Sequence, residues 1–310
     1  PRILGLRQNQ TMVEEAYPPE MASTFKGLER NFNPWGIGFD QRADWAEGMS
    51  IPLMADSKSE TEGQPPEIEV LMWVGCAGSF DSRNQKIARA SATLYQKAGV
   101  KFAILGSEEK CTGDLARRSG NEMLFQMLAG ENVETMNNYK IKKIVTACPH
   151  CLNSIKNEYP QLGGEYEVFH HSQFIAKLVD EGRLPVKSNL KDTITYHDPC
   201  YLGRYNREYE APRNLLKHAA DEPMREMKRH GSESFCCGGG GARMWMEETI
   251  GTRINENRTE EAISTGASTV ATGCPFCMTM LSDGITAKGK SESMQVKDVA
   301  ELVLEAVEAV

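Results

Sequence analysis

Eight of the nine cysteines fall into one pattern written twice. The first copy is Cys76, Cys111 and Cys148-Pro149-His150-Cys151; the second is Cys200, Cys237 and Cys274-Pro275-Phe276-Cys277. In both copies 37 residues separate the middle cysteine from the C-P-x-C pair, from 111 to 148 and from 237 to 274. Four thiolates delivered by three loops suit a tetrahedral zinc ion or an iron–sulfur cluster. The second copy adds Cys236 beside Cys237, one thiol more than a zinc ion normally accepts. Adjacent side chains diverge, so Cys236 and Cys237 could reach different irons. Two similar but chemically unequal thiophilic sites are expected.

Residues around these thiols add to the chemistry. The run Gly238-Gly239-Gly240-Gly241 is expected to offer backbone N–H groups at a helix start, where they would stabilise negative charge. A phosphate cradle is the other use of such a run, but no G-K-[ST] ending follows and cysteines flank it. Arg243 could neutralise cluster charge, whereas Met244, Trp245 and Met246 read as helix packing. His197, three residues before Cys200, could donate a hydrogen bond that tunes a cluster or deliver protons. In the first copy Lys110 stands where Cys236 stands in the second. There Glu109 and His150 are either a further ligand and proton carrier or, more simply, an exposed carboxylate and a hydrogen-bonded turn residue. His170-His171 follows a strand-like stretch and reads as a helix start. Arg225–Arg229 reads as a solvated helix face.

The elements that must position these groups follow an α/β order. Ile68–Val74, Lys101–Leu105, Lys143–Thr146 and Glu167–Phe169 read as strands, the first as a run covered on both faces. Helices are expected over Asp81–Ala98, Asp114–Ala129 and Ser172–Glu181. Thr193–Tyr196, Ser232–Phe235 and Thr269–Ala271 repeat the strand positions. Helices over Arg243–Ser264 and Val296–Glu308 complete the second unit. Strands alternating with helices imply parallel sheets with right-handed crossovers and ligands beyond the carboxyl ends of the strands. The expected fold is therefore α/β, with two repeated Rossmann-like units and cysteine loops at the carboxyl ends of their strands. Residues 1–66 form an N-terminal extension, helical over Glu14–Gly36 with a turn at Asn33-Pro34-Trp35-Gly36, and a linker over Ser57–Pro66. Residues 67–190 and 191–310 form the two units.

Composition agrees with a globular chain: 310 residues, 40% hydrophobic, 25% charged. A net charge of −8 argues against a nucleic-acid partner. No apolar run approaches the ~20 residues of a membrane span, and no signal peptide is visible. An odd number of cysteines with C-P-x-C pairs fits a secreted disulfide framework poorly. In a reducing compartment such thiols are free, metal-bound or redox-active. The chain opens at Pro1 without Met, as expected of a fragment or a processed product.

Taken together, Cys200, Cys236-Cys237-Gly238 and Cys274–Cys277 resemble the CCG-domain proteins, typified by the B and D polypeptides of heterodisulfide reductase. The resemblance implies a non-cubane [4Fe–4S] cluster on those five cysteines. Lys110 breaks the pattern in the first unit and leaves a [4Fe–4S] cluster or zinc on Cys76, Cys111, Cys148 and Cys151. Further segments are similar to membrane-associated iron–sulfur oxidoreductases acting between electron-transfer flavoprotein and menaquinone: Trp73–Cys76, Lys110–Asp114, Asn157–Pro160, His170–Ser172 and Arg243–Trp245. That branch implies electron-transfer flavoprotein as a partner, together with ferredoxin-type and haem-containing membrane domains on the same or a partner chain. It also implies a cytoplasmic location peripheral to the membrane. Disulfide reduction at the second site and a zinc-stabilised interaction scaffold are the alternatives.

Overall fold

A computed structural model describes residues 2–56, 67–187 and 189–308; the expected linker Ser57–Pro66 lies outside the described residues. Seven strands form two sheets: β1 (Val70–Trp73), β2 (Phe102–Ala103), β3 (Lys143–Thr146), β4 (Glu167–His170), β5 (Ile194–His197), β6 (Thr269–Thr272) and β7 (Gln295–Asp298). The first sheet has the order β2-β1-β3-β4 and the second β5-β6-β7. Every strand pairing is parallel, with Leu71 opposite Ile144 in one sheet and Ile194 opposite Thr269 in the other. The fold is α/β and the second sheet repeats the β1-β3-β4 part of the first.

The apolar run of β1 lacks alternation because both its faces are covered. Val70 and Met72 point into a cluster shared by both units, with Tyr95, Phe174, Tyr196, Leu216 and Leu302. Leu71 and Trp73 point into a second cluster with Met21, Phe25 and Leu28 of the N-terminal extension and with Cys148 and Cys151. Helix Ser82–Lys97 starts where the Asp81 carboxylate accepts from the Asn84 N–H at 2.9 Å. Its Ile87, Ala88, Leu94 and Tyr95 are buried. It packs on the last helix, Val299–Glu308.

Several expected elements differ. The stretch Asp114–Ala129 is two helices, Asp114–Ser119 and Glu122–Asn138, broken at Gly120 with φ +99°. A side chain on Gly120 would meet the Arg7 carbonyl oxygen at 2.3 Å, so the chain crossing there forces the break. The helix expected over Glu14–Gly36 is confined to Pro19–Asn31, begun by Pro19 and ended by Phe32 in the left-handed region. The helix expected from Arg243 begins at Ile254, after a short 3-10 turn at Arg243–Trp245. Ser232–Phe235 is no strand; a 3-10 turn at Gly231–Glu233 replaces it, since the polar Ser232, Glu233 and Ser234 offer nothing to cover on two faces. Arg225–Arg229 is a loop, with Arg225 on the Gly266 carbonyl and Arg229 on Glu261. The final helix starts at Val299 because Gln295–Asp298 is the edge strand β7.

Candidate metal centres

The second set of thiols gathers at the carboxyl ends of β5 and β6. Cys200 follows β5, and Cys274 precedes the helix Pro275–Ala287 that carries Cys277 in its first turn. Cys236 and Cys237 arrive on the strandless loop, the exception to the expectation that each cysteine follows a strand. The five thiols touch in sequence. Cys200 and Cys237 donate to Cys236, and Cys277 lies against both Cys237, at 3.3 Å, and Cys274. Hydrogen bonds from Cys200 and Cys237 push the Cys236 thiol well down, against the effect of burial. Thiols competing this way for protons make a site that favours thiolate-binding metal.

The glycine run supplies space and one donor. Gly238 N–H donates to Cys236 Sγ at 3.3 Å, and its φ of +93° suits glycine. A side chain on Gly239 would come within 3.1 Å of Met280 Cγ and 3.8 Å of Cys237 Sγ; Gly240 meets nothing within 4 Å. Since no helix starts there, the expected helix-terminal field is replaced by this local N–H.

His197 ends β5, and one of its ring nitrogens lies within 4.8 Å of the Cys237 and Cys277 sulfurs. Arg258 Nε donates to His197 Nδ1 at 3.0 Å. Burial and the Arg258 charge pull the imidazole down to about 3. With Nδ1 accepting from Arg258, the neutral ring carries its proton on Nε2. Arg258 is fully buried and held by Glu261 Oε2 at 2.6 Å and the Arg229 carbonyl at 2.9 Å. The Arg243 guanidinium donates to the Glu247 carbonyl at 3.5 Å. Trp245 sits edge-on to Trp35, their ring centroids 5.0 Å apart.

The first set is built differently. Cys111 donates to Cys76 and Cys151 to Cys148, while Thr112 Oγ1 lies 3.8 Å from Cys151 Sγ. Glu109, expected at the surface, is 1% exposed. It accepts from the Val74 and Gly75 N–H groups at 2.9 and 2.8 Å and from Arg42 Nη2 at 2.8 Å. The same Nη2 lies 3.4 Å from Cys76 Sγ, and Arg42 Nη1 is buried without a partner. The hydrogen bond from Cys111 outweighs burial and, with Arg42, draws Cys76 down to about 7. Lys110 turns away, its ammonium on Glu131 and 4.3 Å from the Phe32 ring centroid. Sequence reasoning missed Arg42 because it belongs to the extension, outside the repeat.

His150 stands between the two sets. Its ring stacks on Tyr201 at 4.1 Å and meets Phe276 edge-on at 5.3 Å. Burial lowers its basicity, but Asp114, 2.8 Å away, outweighs this and lifts it to about 8, with Cys274 and Cys151 adding to the rise. A cavity on this side is walled by Cys76, Cys111, Cys148, Cys151, Gly239 and Phe276. His170 caps helix His171–Asp180 and reaches the Gly273 carbonyl at 3.0 Å, the helix-start role expected of it. His171 Nε2 lies 3.1 Å from Asp298 Oδ1. Both histidines thus tie the units together.

The donors fit soft metal chemistry: five thiols plus an imidazole N–H in one set, four thiols plus a buried guanidinium in the other. The family model described as a cysteine-rich domain, CCG, matches residues 70–156 and 194–282. The chain is 44% identical over 99% of its length to a Syntrophomonas wolfei protein named EtfAB:quinone oxidoreductase, covering 44% of that protein. It is 44% identical over 99% of its length to the Bacillus subtilis "Probable iron-sulfur-binding oxidoreductase FadF", covering 43% of it. It is 35% identical over 83% of its length to one polypeptide of a Methanosarcina barkeri dihydromethanophenazine:CoB–CoM heterodisulfide reductase, covering 64% of that polypeptide. The chain thus spans less than half of the first two relatives.

Proposed function

Since this chain belongs to the cysteine-rich CCG-domain family, we propose that it is the iron–sulfur electron-transfer part of an oxidoreductase, carrying electrons from electron-transfer flavoprotein toward a membrane quinone. The observation that supports this most is the placement of His150 against Tyr201 and Phe276, which makes the two thiol sets neighbours. The name of the Syntrophomonas relative supports the donor and the acceptor. Cys200, Cys236, Cys237, Cys274 and Cys277 would hold a non-cubane [4Fe–4S] cluster. Cys76, Cys111, Cys148 and Cys151 would hold a [4Fe–4S] cluster, or zinc in a structural role. When bound, an iron–sulfur cluster supplies a one-electron acceptor and donor. The chain's own residues set its surroundings. His197 offers an N–H, Gly238 a backbone N–H, and Arg42 a positive charge beside Cys76.

We take residues 67–190 and 191–310 as the two cysteine-rich domains. No helix among the described residues is long and apolar enough to cross a membrane. Association with the cytoplasmic membrane would therefore come through haem-containing and ferredoxin-type domains of the same or a partner chain. The test is iron, sulfide and zinc analysis with low-temperature electron paramagnetic resonance on anaerobically prepared protein. Stoichiometric iron and sulfide with two distinct signals are expected; protein free of both would sink the proposal. A structural zinc in the first set would appear as one zinc and a single paramagnetic centre.

A second reading, disulfide reduction at the second set, is favoured by one observation. Cys200 and Cys236 are partly exposed while Cys237, Cys274 and Cys277 are buried, which leaves an open edge for a sulfur substrate. Rapid turnover of a small disulfide by the reduced protein would favour this reading over the relay.

A further inference from the structure

The electron-transfer reading leaves open where the soluble partner docks. A run of aromatic rings leads from between the two thiol sets to the surface. Phe276, inside the second C-P-x-C, meets His150, inside the first, at 5.3 Å. His150 stacks on Tyr201, the residue after Cys200, at 4.1 Å. Tyr201 stacks on Tyr205 at 4.5 Å with their planes 3° apart. Tyr205 is 62% exposed, so the stack ends in solvent. The turn that makes the stack runs from Cys200 to Tyr205, and it lies beside the partly exposed edge formed by Cys200 and Cys236.

The surface around this ring is basic. Arg204, Arg207 and Lys156 are exposed, and none of them pairs with a carboxylate among the described residues. Asn157, next to Lys156, is bound to Asn206 at 3.0 Å, which holds the two stretches together. Residues 200–207 contain no acid. Of the nearby carboxylates, Glu158 is bound by Arg117 and Arg118 and Glu208 accepts from Gln173 at 2.5 Å, while Glu233 is exposed on the neighbouring turn. Glu210, exposed, begins the next helix. A cationic corner on a chain of net charge −8 stands out against its own background. Such a corner draws an acidic partner and repels it elsewhere, which selects orientation and raises the association rate. An exposed aromatic flanked by arginines also has the composition of an interface anchor.

We infer that the Tyr205 corner, with Arg204, Arg207 and Lys156, is the docking surface for a flavoprotein electron carrier that presents an acidic face, and that Tyr205–Tyr201–His150 is the packed route inward from it. The inference rests on the electron-transfer reading. One electron passes from the partner's reduced flavin to the thiolate-held centre, the flavin's proton goes to solvent, and no bond forms between the proteins.

The test uses iron-loaded protein and reduced electron-transfer flavoprotein mixed rapidly at several salt concentrations. The double variant Lys156→Glu/Arg207→Glu leaves Arg204 in place, because its guanidinium holds the Ser234 carbonyl. It is expected to lower the second-order rate by about tenfold at low salt and to flatten its salt dependence. Reduction by dithionite and the paramagnetic signals should not change. Tyr205→Ser should slow transfer while keeping the salt dependence. Amide hydrogen exchange at residues 201–207 should slow when the flavoprotein is added. If the wild type is reduced by the flavoprotein and both variants match it at every salt concentration, the docking surface is wrong and the relay reading stands. If the flavoprotein never reduces the wild type while dithionite does, the relay reading fails and the inference falls with it. Loss of binding to anionic lipid vesicles in the double variant, with unchanged transfer rates, would overturn the inference in favour of a lipid surface.

Discussion

Lys110 and Cys236 occupy matching positions, but the structure gives the comparison a different meaning from a simple ligand swap. The Lys110 ammonium leaves the site for Glu131 and the Phe32 ring, and the polar group beside the first thiols is Glu109, clamped by Arg42. Cys236→Ser is therefore expected to remove iron from the second set while the first keeps its metal. Lys110→Met should leave both metal contents unchanged. Metal analysis of the two variants checks this, and loss of first-set metal in Lys110→Met would contradict it. Arg42→Met strands a buried carboxylate that keeps only two backbone donors. Removing one partner of a buried pair costs about 3–5 kcal/mol, so urea unfolding should show a loss of that size. Wild-type stability in the variant would mean that Glu109 moves to other partners.

The Arg258–Glu261 pair supports His197 from behind and gives the second unit an acid limit. Burial raises the Glu261 carboxyl, but the N–H and guanidinium of Arg229 and the charge of Arg258 outweigh it and hold it below its usual 4.5. A depressed carboxyl contributes stability that is full above its unfolded value and is lost as pH falls through the folded value. Unfolding midpoints should thus be flat above pH 4.5 from this group and drop below it. Glu261→Gln should lower the midpoint at neutral pH and shrink the difference from wild type in acid. An equal difference at pH 7 and pH 3 would show that Glu261 is not the group responsible.

Among the elements, the loops that follow strands do the positioning, and their glycines mark where backbone must pass close. Gly113, next but one to Cys111, has φ +82°, and a side chain there would stand 3.1 Å from the Phe125 Cα and 2.8 Å from its ring. Gly113→Ala combines an unfavourable backbone region with a clash against a helix. The expected cost is about 1–3 kcal/mol, with weaker metal retention in the first set. Calorimetry with metal counting measures both. A variant as stable as the wild type would show that helix Glu122–Asn138 shifts to make room. The absent strand before Cys236 belongs to this scale too. Without a β2 equivalent, the Cys236–Cys237 loop is anchored by Arg204 on the Ser234 carbonyl and by the Ser234 hydroxyl on the Asp198 carbonyl.

Across the whole molecule the two sheets share one apolar cluster. Arg83 bridges to Glu301 at 2.9 Å, and His170 holds the Gly273 carbonyl just before Cys274. The units should therefore unfold together. Thermal unfolding followed by tryptophan fluorescence and by far-ultraviolet circular dichroism is expected to give one coincident transition; two separated transitions would show that the shared cluster does not couple them.

Much of this was legible in the chain. The α/β class, the parallel strands β1, β3, β5 and β6, and the nine clustered thiols follow from apolar runs and from a repeat whose period exposes equivalent positions. Local physics is enough there, because a strand covered on two faces and a loop ending in C-P-x-C are written in consecutive residues. The break at Gly120 was not legible, since the Arg7 segment that crosses it lies far away in sequence. Nor was the pairing of Arg42 with Glu109, the Arg258 clamp on His197, or the stack from Phe276 to Tyr205. Residue types and spacing determine how many thiols each unit offers and that the two units are unequal. Which charge faces which sulfur, and that His150 ends up between the two sets, is decided by tertiary packing, because contacts between segments tens to hundreds of residues apart leave no periodic trace in the chain.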